Sequence, residues 1–258
     1  MTRASKKLII ANWKMNPLDL AHAKDLFIGV KETARTLSKV QTVIAPPFVY
    51  LSELSKLFSG HRIALSSQDV FWEKRGSFTG EVSPAMLKDI RVGYSIVGHS
   101  ERRGLGESDE DVHKKIEAVT KEGITAIVCI GESDRDHTEG THLAFLTAQI
   151  ETAFRDVKKS SLSKIVVAYE PIWAIGKSEA DAMKPHELHE TVLFIKKILA
   201  SLYGKQAGFK IPIVYGGSVE KNNTAVLLVE GMVDGLLVGH ASLSVKEFTE
   251  IMRIAQKV

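Results

Sequence analysis

Eight short apolar runs, each followed by a stretch of helical periodicity, recur along the chain, and they limit its fold more tightly than any other feature. The runs fall at 8–11, 42–45, 62–65, 94–97, 125–130, 165–170, 211–215 and 235–238. Each is rich in Val, Ile, Leu and Ala and shows no polar alternation, as expected of a parallel strand buried on both faces. After the first run, Asp19 is placed to cap a helix whose apolar stripe is Ala23, Leu26, Phe27, Val30, Ala34 and Leu37. Further helices are expected at 49–58, 84–88, 109–121, 143–157, 185–202, 223–229 and 245–255, with a long polar loop over 68–82. Eight such units in 258 residues match a single-domain α/β fold, the (β/α)8 barrel. An open doubly wound sheet is the competing architecture. It would carry a G-x-G-x-x-G after the first strand and gather polar residues at one switch point, and this chain does neither.

Composition narrows the function classes. Lys and Arg number 34 against 31 Asp and Glu, a formal charge of +3 with no long basic run, so neither nucleic acid nor a membrane is the expected partner. Cys129 is the only cysteine, which rules out an internal disulfide, and no Cys/His spacing suggests a metal site. The basic start is followed by an apolar run, Leu8 to Ala11, too short for a signal-peptide core or a bilayer span, so a cytoplasmic location is expected.

In a barrel the C-terminal ends of the strands share one mouth. Those ends carry Asn12 and Lys14, His99 and Glu101, Glu170, Gly216-Gly217-Ser218, and Gly239-His240. Singly, each has an ordinary reading: a solvated lysine, a hydrogen-bonded histidine, glycines in a tight turn. Their convergence on one rim favours a site. The glycine clusters after the seventh and eighth strands suit phosphate held by backbone N–H groups. Glu170 stands where a buried strand meets Pro171, and a carboxylate there could take a proton from carbon beside a carbonyl while His99 and Lys14 stabilise charge on oxygen. Apolar Pro171, Ile172, Trp173 and Ile175 suit a lid that excludes water, although a solvated Glu170 with Trp173 packed on the surface fits that stretch equally well.

Six segments in order resemble the motifs of the triosephosphate isomerase family: Asn12-Trp13-Lys14-Met15-Asn16, Thr79 to Leu87, Gly98-His99-Ser100-Glu101-Arg102-Arg103, Cys129-Ile130-Gly131-Glu132, Tyr169 to Gly176, and Tyr215-Gly216-Gly217-Ser218-Val219. They span nearly the whole chain. The resemblance implies a TIM barrel, interconversion of dihydroxyacetone phosphate and D-glyceraldehyde 3-phosphate through an enediol(ate) in glycolysis and gluconeogenesis, and no metal or organic cofactor. Glu170 matches the family's base, and Lys14 matches its cationic substrate ligand with Asn12 beside it. His99 matches its electrophile, a neutral imidazole kept so by the helix that follows, a pattern for which this family is itself the standard example. The resemblance further implies that Glu101 pairs with Lys14, that Ser100 is a hydrogen-bonding neighbour and that Tyr215, Gly216 and Gly217 support the site. Gly176, Ser218, Gly239 and His240 match the phosphate ligands. The resemblance places the lid at Pro171, Ile172, Trp173, Ala174, Ile175, Gly176, Lys177 and Ser178, matching the family as far as Gly176, and makes Thr79 the tip of an arm, 68–82, that enters a second subunit, so a homodimer is implied. Cys129 matches a supporting position near the base.

The chain departs from the family in three places. After Gly176 it reads Lys177-Ser178-Glu179-Ala180-Asp181-Ala182-Met183-Lys184, about two residues longer than usual, with the second hinge expected within 178–182. His240 replaces a glycine; its backbone N–H survives if φ is negative, and the imidazole is expected to pack away from phosphate, though it could instead bind phosphate or reshape the pocket. Asp69, where the family has Asn, is expected to bear on subunit contacts only. These departures keep open an isomerase of another short phosphorylated ketose or aldose, and a noncatalytic phosphometabolite-binding scaffold on the same fold.

Overall fold

The computed structural model describes residues 6–57, 62–135, 140–176 and 183–258. Eight parallel strands close into a barrel in sequence order, with β1 hydrogen-bonded to β8. They are β1 (Lys7–Asn12), β2 (Val40–Ala45), β3 (Ile63–Ser67), β4 (Tyr94–Val97), β5 (Thr125–Ile130), β6 (Ile165–Tyr169), β7 (Ile213–Tyr215) and β8 (Gly235–Val238). Closure leaves no strand edge unpaired. The helices are α1 (Leu20–Thr36), α2 (Phe48–Ser55), α3 (Pro84–Asp89), α4 (Ser100–Gly104), α5 (Asp109–Lys121), α6 (Thr141–Ala153), α7 (Pro185–Tyr203), α8 (Lys205–Gly208), α9 (Thr224–Val229) and α10 (Val245–Lys257).

Local chemistry starts these helices where the sequence suggests. The Asp19 carboxylate accepts the His22 N–H and caps α1, while Ser108 and Asp111 form a reciprocal capping box on α5. Pro185 opens α7 at a position that needs no N–H donor. Two short helices, α4 and α8, escape the periodicity reading because four or five residues contain too little of a 3.6-residue repeat.

Alternation along each strand divides the core in two. Ile10, Val43, Ala45, Ile96, Ile127, Cys129, Val166, Ala168, Val214 and Leu237 fill the barrel interior. Their neighbours Ile9, Ala11, Ile44, Val97, Val128, Val167 and Tyr169 pack outward with Phe27, Val30, Ile116, Ile195 and Phe248 from the helices. The same parity continued past the last apolar layer turns Asn12, Glu170, Gly216 and Gly239 inward at the C-terminal mouth, where each inner series continues two residues beyond Ile10, Ala168, Val214 and Leu237.

The 68–82 loop corrects one expectation. Asp69 is buried, and its carboxylate pairs with Lys115 of α5 at 2.6 Å and Arg102 of α4 at 2.9 Å. It therefore organises its own subunit. A carboxylate answers two cations here where an amide would leave them partly uncompensated.

Candidate active site

A cavity of about 470 Å³ opens at the C-terminal mouth, lined by Asn12, Lys14, His99, Glu170, Ile175, Gly176, Gly216, Gly217, Ser218, Gly239 and His240 among others. A larger cavity of about 640 Å³ lies at the opposite mouth, against Leu8, Tyr94, Val166 and Lys210, and none of the strand-end groups reaches it. Size does not locate the chemistry here; the convergence of polar groups does.

Glu170 extends the β6 ladder by one residue, its N–H donating to the Ile130 carbonyl at 2.8 Å. It is only 2% exposed. One carboxylate oxygen accepts the Ser100 N–H at 3.1 Å and the other lies 3.4 Å from His99 Nε2. Two glycines make room for it. A Cβ on Gly131 would sit 1.8 Å from the Glu170 carbonyl oxygen, and one on Gly216 would sit 2.9 Å from Glu170 Cγ. Gly216 thus has a role beyond offering an amide to an anion: any side chain there would push the carboxylate out of place.

His99 caps α4, and its Nδ1 accepts the Glu101 N–H at 3.1 Å. A nitrogen that accepts carries no proton, so the proton of the neutral ring lies on Nε2, which faces Glu170 and the cavity. Lys14 holds its backbone at φ 52, with its N–H donated to Asn12 Oδ1 at 3.1 Å and its carbonyl receiving Gln68 Nε2 at 2.8 Å. Its ammonium pairs with Glu101 at 2.6 Å, the pairing that the resemblance implies. Cys129 lies beneath the cavity in the inner core; burial first, then the Glu170 carboxylate, pushes its thiol well above the usual range, so it is no nucleophile.

On the far side of the cavity, Ser218 Oγ donates to the Ala174 carbonyl at 3.0 Å and joins the β7 loop to the turn Ile172–Ala174. His240 begins a short 3-10 turn, His240–Leu243, and is exposed rather than packed. Its φ is not positive, so the N–H of the position is compatible with a side chain. Tyr215 is buried with a phenol that has no hydrogen-bond partner among the described residues, and burial raises that phenol far above its ordinary range. In the lid stretch, Pro171 and Ala174 are buried and Ile172 and Trp173 half-buried, while Lys177, Ser178 and the 178–182 hinge lie outside the described residues. Thr79 is exposed at the tip of its arm, 68–82. Among the described residues, no group of three or more His, Cys, Asp or Glu is placed to hold a metal ion, and no helix is long and apolar enough to cross a membrane.

Sequence reasoning missed one cluster beside this site. The Glu132 carboxylate, 2% exposed, accepts from the Tyr169 hydroxyl and the Trp173 indole, both at 2.9 Å, and from Arg135 Nε at 3.2 Å. The motif containing Glu132 was visible, but nothing local tells which distant donors converge on it.

A family model described as triosephosphate isomerase matches residues 7–255. The triosephosphate isomerase of Thermoanaerobacter sp. (strain X514) is 40% identical over 250 residues, covering 96% of this chain and 98% of its own. That of Dehalococcoides mccartyi is 41% identical over 255 residues, covering 98% and 99%. A crystal structure of triosephosphate isomerase from Bartonella henselae matches with a TM-score of 0.83 at 31% identity, over 96% of this chain and 98% of that one.

Proposed function

The chain belongs to the triosephosphate isomerase family and is an enzyme that interconverts dihydroxyacetone phosphate and D-glyceraldehyde 3-phosphate; from that premise we propose how its residues divide the reaction. Glu170 is the base that moves a proton between the two adjacent carbons that carry the reacting oxygens. His99 donates from Nε2–H to the oxygen on which charge develops, and the Lys14 ammonium adds positive charge at the same place. The backbone N–H groups of Gly176, Ser218, Gly239 and His240 hold the phosphate, with Gly216 and Gly217 shaping that end of the cavity. The observation that carries this reading is Glu170: a 2%-exposed carboxylate, 3.4 Å from the His99 ring nitrogen, in the cavity that also contains both glycine clusters. One carboxylate oxygen accepts the Ser100 N–H, a hydrogen bond that gives way as the carboxylate moves to carbon.

Thr79 and the aromatic cluster behind it support a homodimer. Phe71 stacks on Trp72 at 4.2 Å and meets Phe78 at 4.6 Å, while Phe78 remains 44% exposed. An arm stiffened by its own rings and capped by an exposed Thr79 is shaped to enter a partner near Asn12 and Lys14. A cytoplasmic location and the absence of a cofactor go with this reading.

Steady-state assay with triose, tetrose and pentose phosphates, run beside Glu170→Gln, tests it. Triose phosphates are expected to turn over, with a loss in kcat of at least about 10³-fold in the variant. Unchanged activity in Glu170→Gln would overturn the base assignment, and faster turnover of tetrose or pentose phosphate would reassign the substrate.

A further inference from the structure

We propose that Arg135 is a positioning residue that sets the wall of the substrate cavity by clamping the Ile172–Ala174 turn to α7. The guanidinium sits 5.2 Å from the centroid of the Trp173 ring, and its Nε donates to Glu132 Oε1 at 3.2 Å, the same oxygen that receives the Trp173 indole N–H. Trp173 is thereby held on its face and at its edge. Another guanidinium nitrogen donates to Thr191 Oγ1 of α7 at 2.9 Å and lies 3.5 Å from the Tyr169 hydroxyl. One planar cation thus joins the β5 loop, the end of the strand that presents Glu170, the turn beyond it, and the second turn of α7.

The turn passes this restraint into the cavity. Its Ile172 N–H donates to the Glu132 carbonyl at 3.0 Å and its Ala174 carbonyl receives Ser218 Oγ at 3.0 Å, so the chain between Arg135 and the β7 glycine cluster is continuous. Ile175 and Gly176, which follow directly, line the cavity. Burial disfavours charge on Arg135, but the Tyr169 and Glu132 oxygens outweigh it and the guanidinium is held above its ordinary range. The second Glu132 oxygen, Oε2, is buried without a partner among the described residues, where Arg135 is the cation that balances this carboxylate. Lysine could supply the charge. It could not supply the flat face over Trp173 together with donors toward Glu132 and Thr191.

The proposal rests on the Glu170 reading above and has its own test. Arg135→Lys keeps a cation beside Glu132 and loses the fork. Its kcat for glyceraldehyde 3-phosphate is expected to fall about threefold to tenfold and its KM to rise. Inorganic phosphate, expelled with the C–O electron pair when an unshielded enediolate eliminates, is expected to increase per turnover. Thr191→Val, which removes the link to α7 along with the hydroxyl's own hydrogen bond to the Glu187 carbonyl, is expected to shift the same partition more weakly and serves alone if Arg135→Lys does not fold. A folded variant with a lower melting temperature but unchanged kcat, KM and phosphate release would overturn the proposal and leave Arg135 a structural residue. Loss of activity in Glu170→Gln beside an unchanged Arg135→Lys would remove the clamp alone, whereas full activity in Glu170→Gln would remove the reading beneath it.

Discussion

Lys14 holds its backbone at φ 52, a conformation that costs a non-glycine residue about 1–3 kcal/mol. Asn12 Oδ1 and Gln68 Nε2 occupy the N–H and carbonyl of that residue and so hold it there. Asn12→Ala removes the first of them. Its kcat/KM is expected to drop about tenfold to a hundredfold with a small change in melting temperature, read by steady-state kinetics beside thermal denaturation. A melt that falls steeply with kinetics unchanged would show that Asn12 serves the barrel and not Lys14. His240 leads to a different expectation. Because its side chain is exposed and its φ is not positive, His240→Gly should preserve the N–H and alter KM by no more than about threefold, the scale of a weak exposed contact. A tenfold rise would place the imidazole on the phosphate.

Between elements, the buried charges of the 68–82 loop matter more than its exposed tip. Lys115, 4% exposed, contacts Asp69 and Glu107 at 2.6 Å each, and the second Glu107 oxygen is buried without a partner among the described residues. Removing the cation strands the Glu107 carboxylate and leaves Asp69 with Arg102 alone. Lys115→Met is expected to cost about 3–5 kcal/mol by urea denaturation, far beyond an exposed pair. A second link joins α7 to the end of α6, where the Tyr203 hydroxyl donates to the Phe154 carbonyl at 2.8 Å. Burial, with the Asp156 carboxylate adding, pushes the Tyr203 phenol up to about 12 from 10.0. Folding favours the protonated form, so this contribution is complete below about pH 10 and is lost as pH rises through about 12. Melting temperature against pH should therefore fall more steeply over that window in the parent than in Tyr203→Phe; parallel curves would count against the linkage.

At the scale of the whole molecule, the closed barrel places every strand's C-terminal end at one mouth, while the 68–82 arm leaves Thr79 exposed. If a partner covers Thr79, Thr79→Asp buries a charge in the interface, and equilibrium ultracentrifugation should find monomer with reduced kcat. A monomeric parent that is fully active would count against the homodimer. The sequence by itself determined the architecture: apolar runs of four to six residues and helical stripes are local consequences of burial, and eight of them in order leave closure as the arrangement without an edge. It determined too that Glu170, His99 and Lys14 stand at strand ends, since Pro171, Gly98 and Asn12 punctuate the runs beside them. Periodicity alone could not show the short helix α4, because its five residues hold little more than one turn. Only the tertiary structure decided which side chains meet. That Asp69 turns to Lys115 and Arg102, that Glu170 rests on Ser100, and that Arg135 joins Trp173 to Thr191 all depend on register and facing direction accumulated around the barrel. No local window contains that information, because partners in these contacts lie 33 to 70 residues apart and meet only when the barrel units pack together.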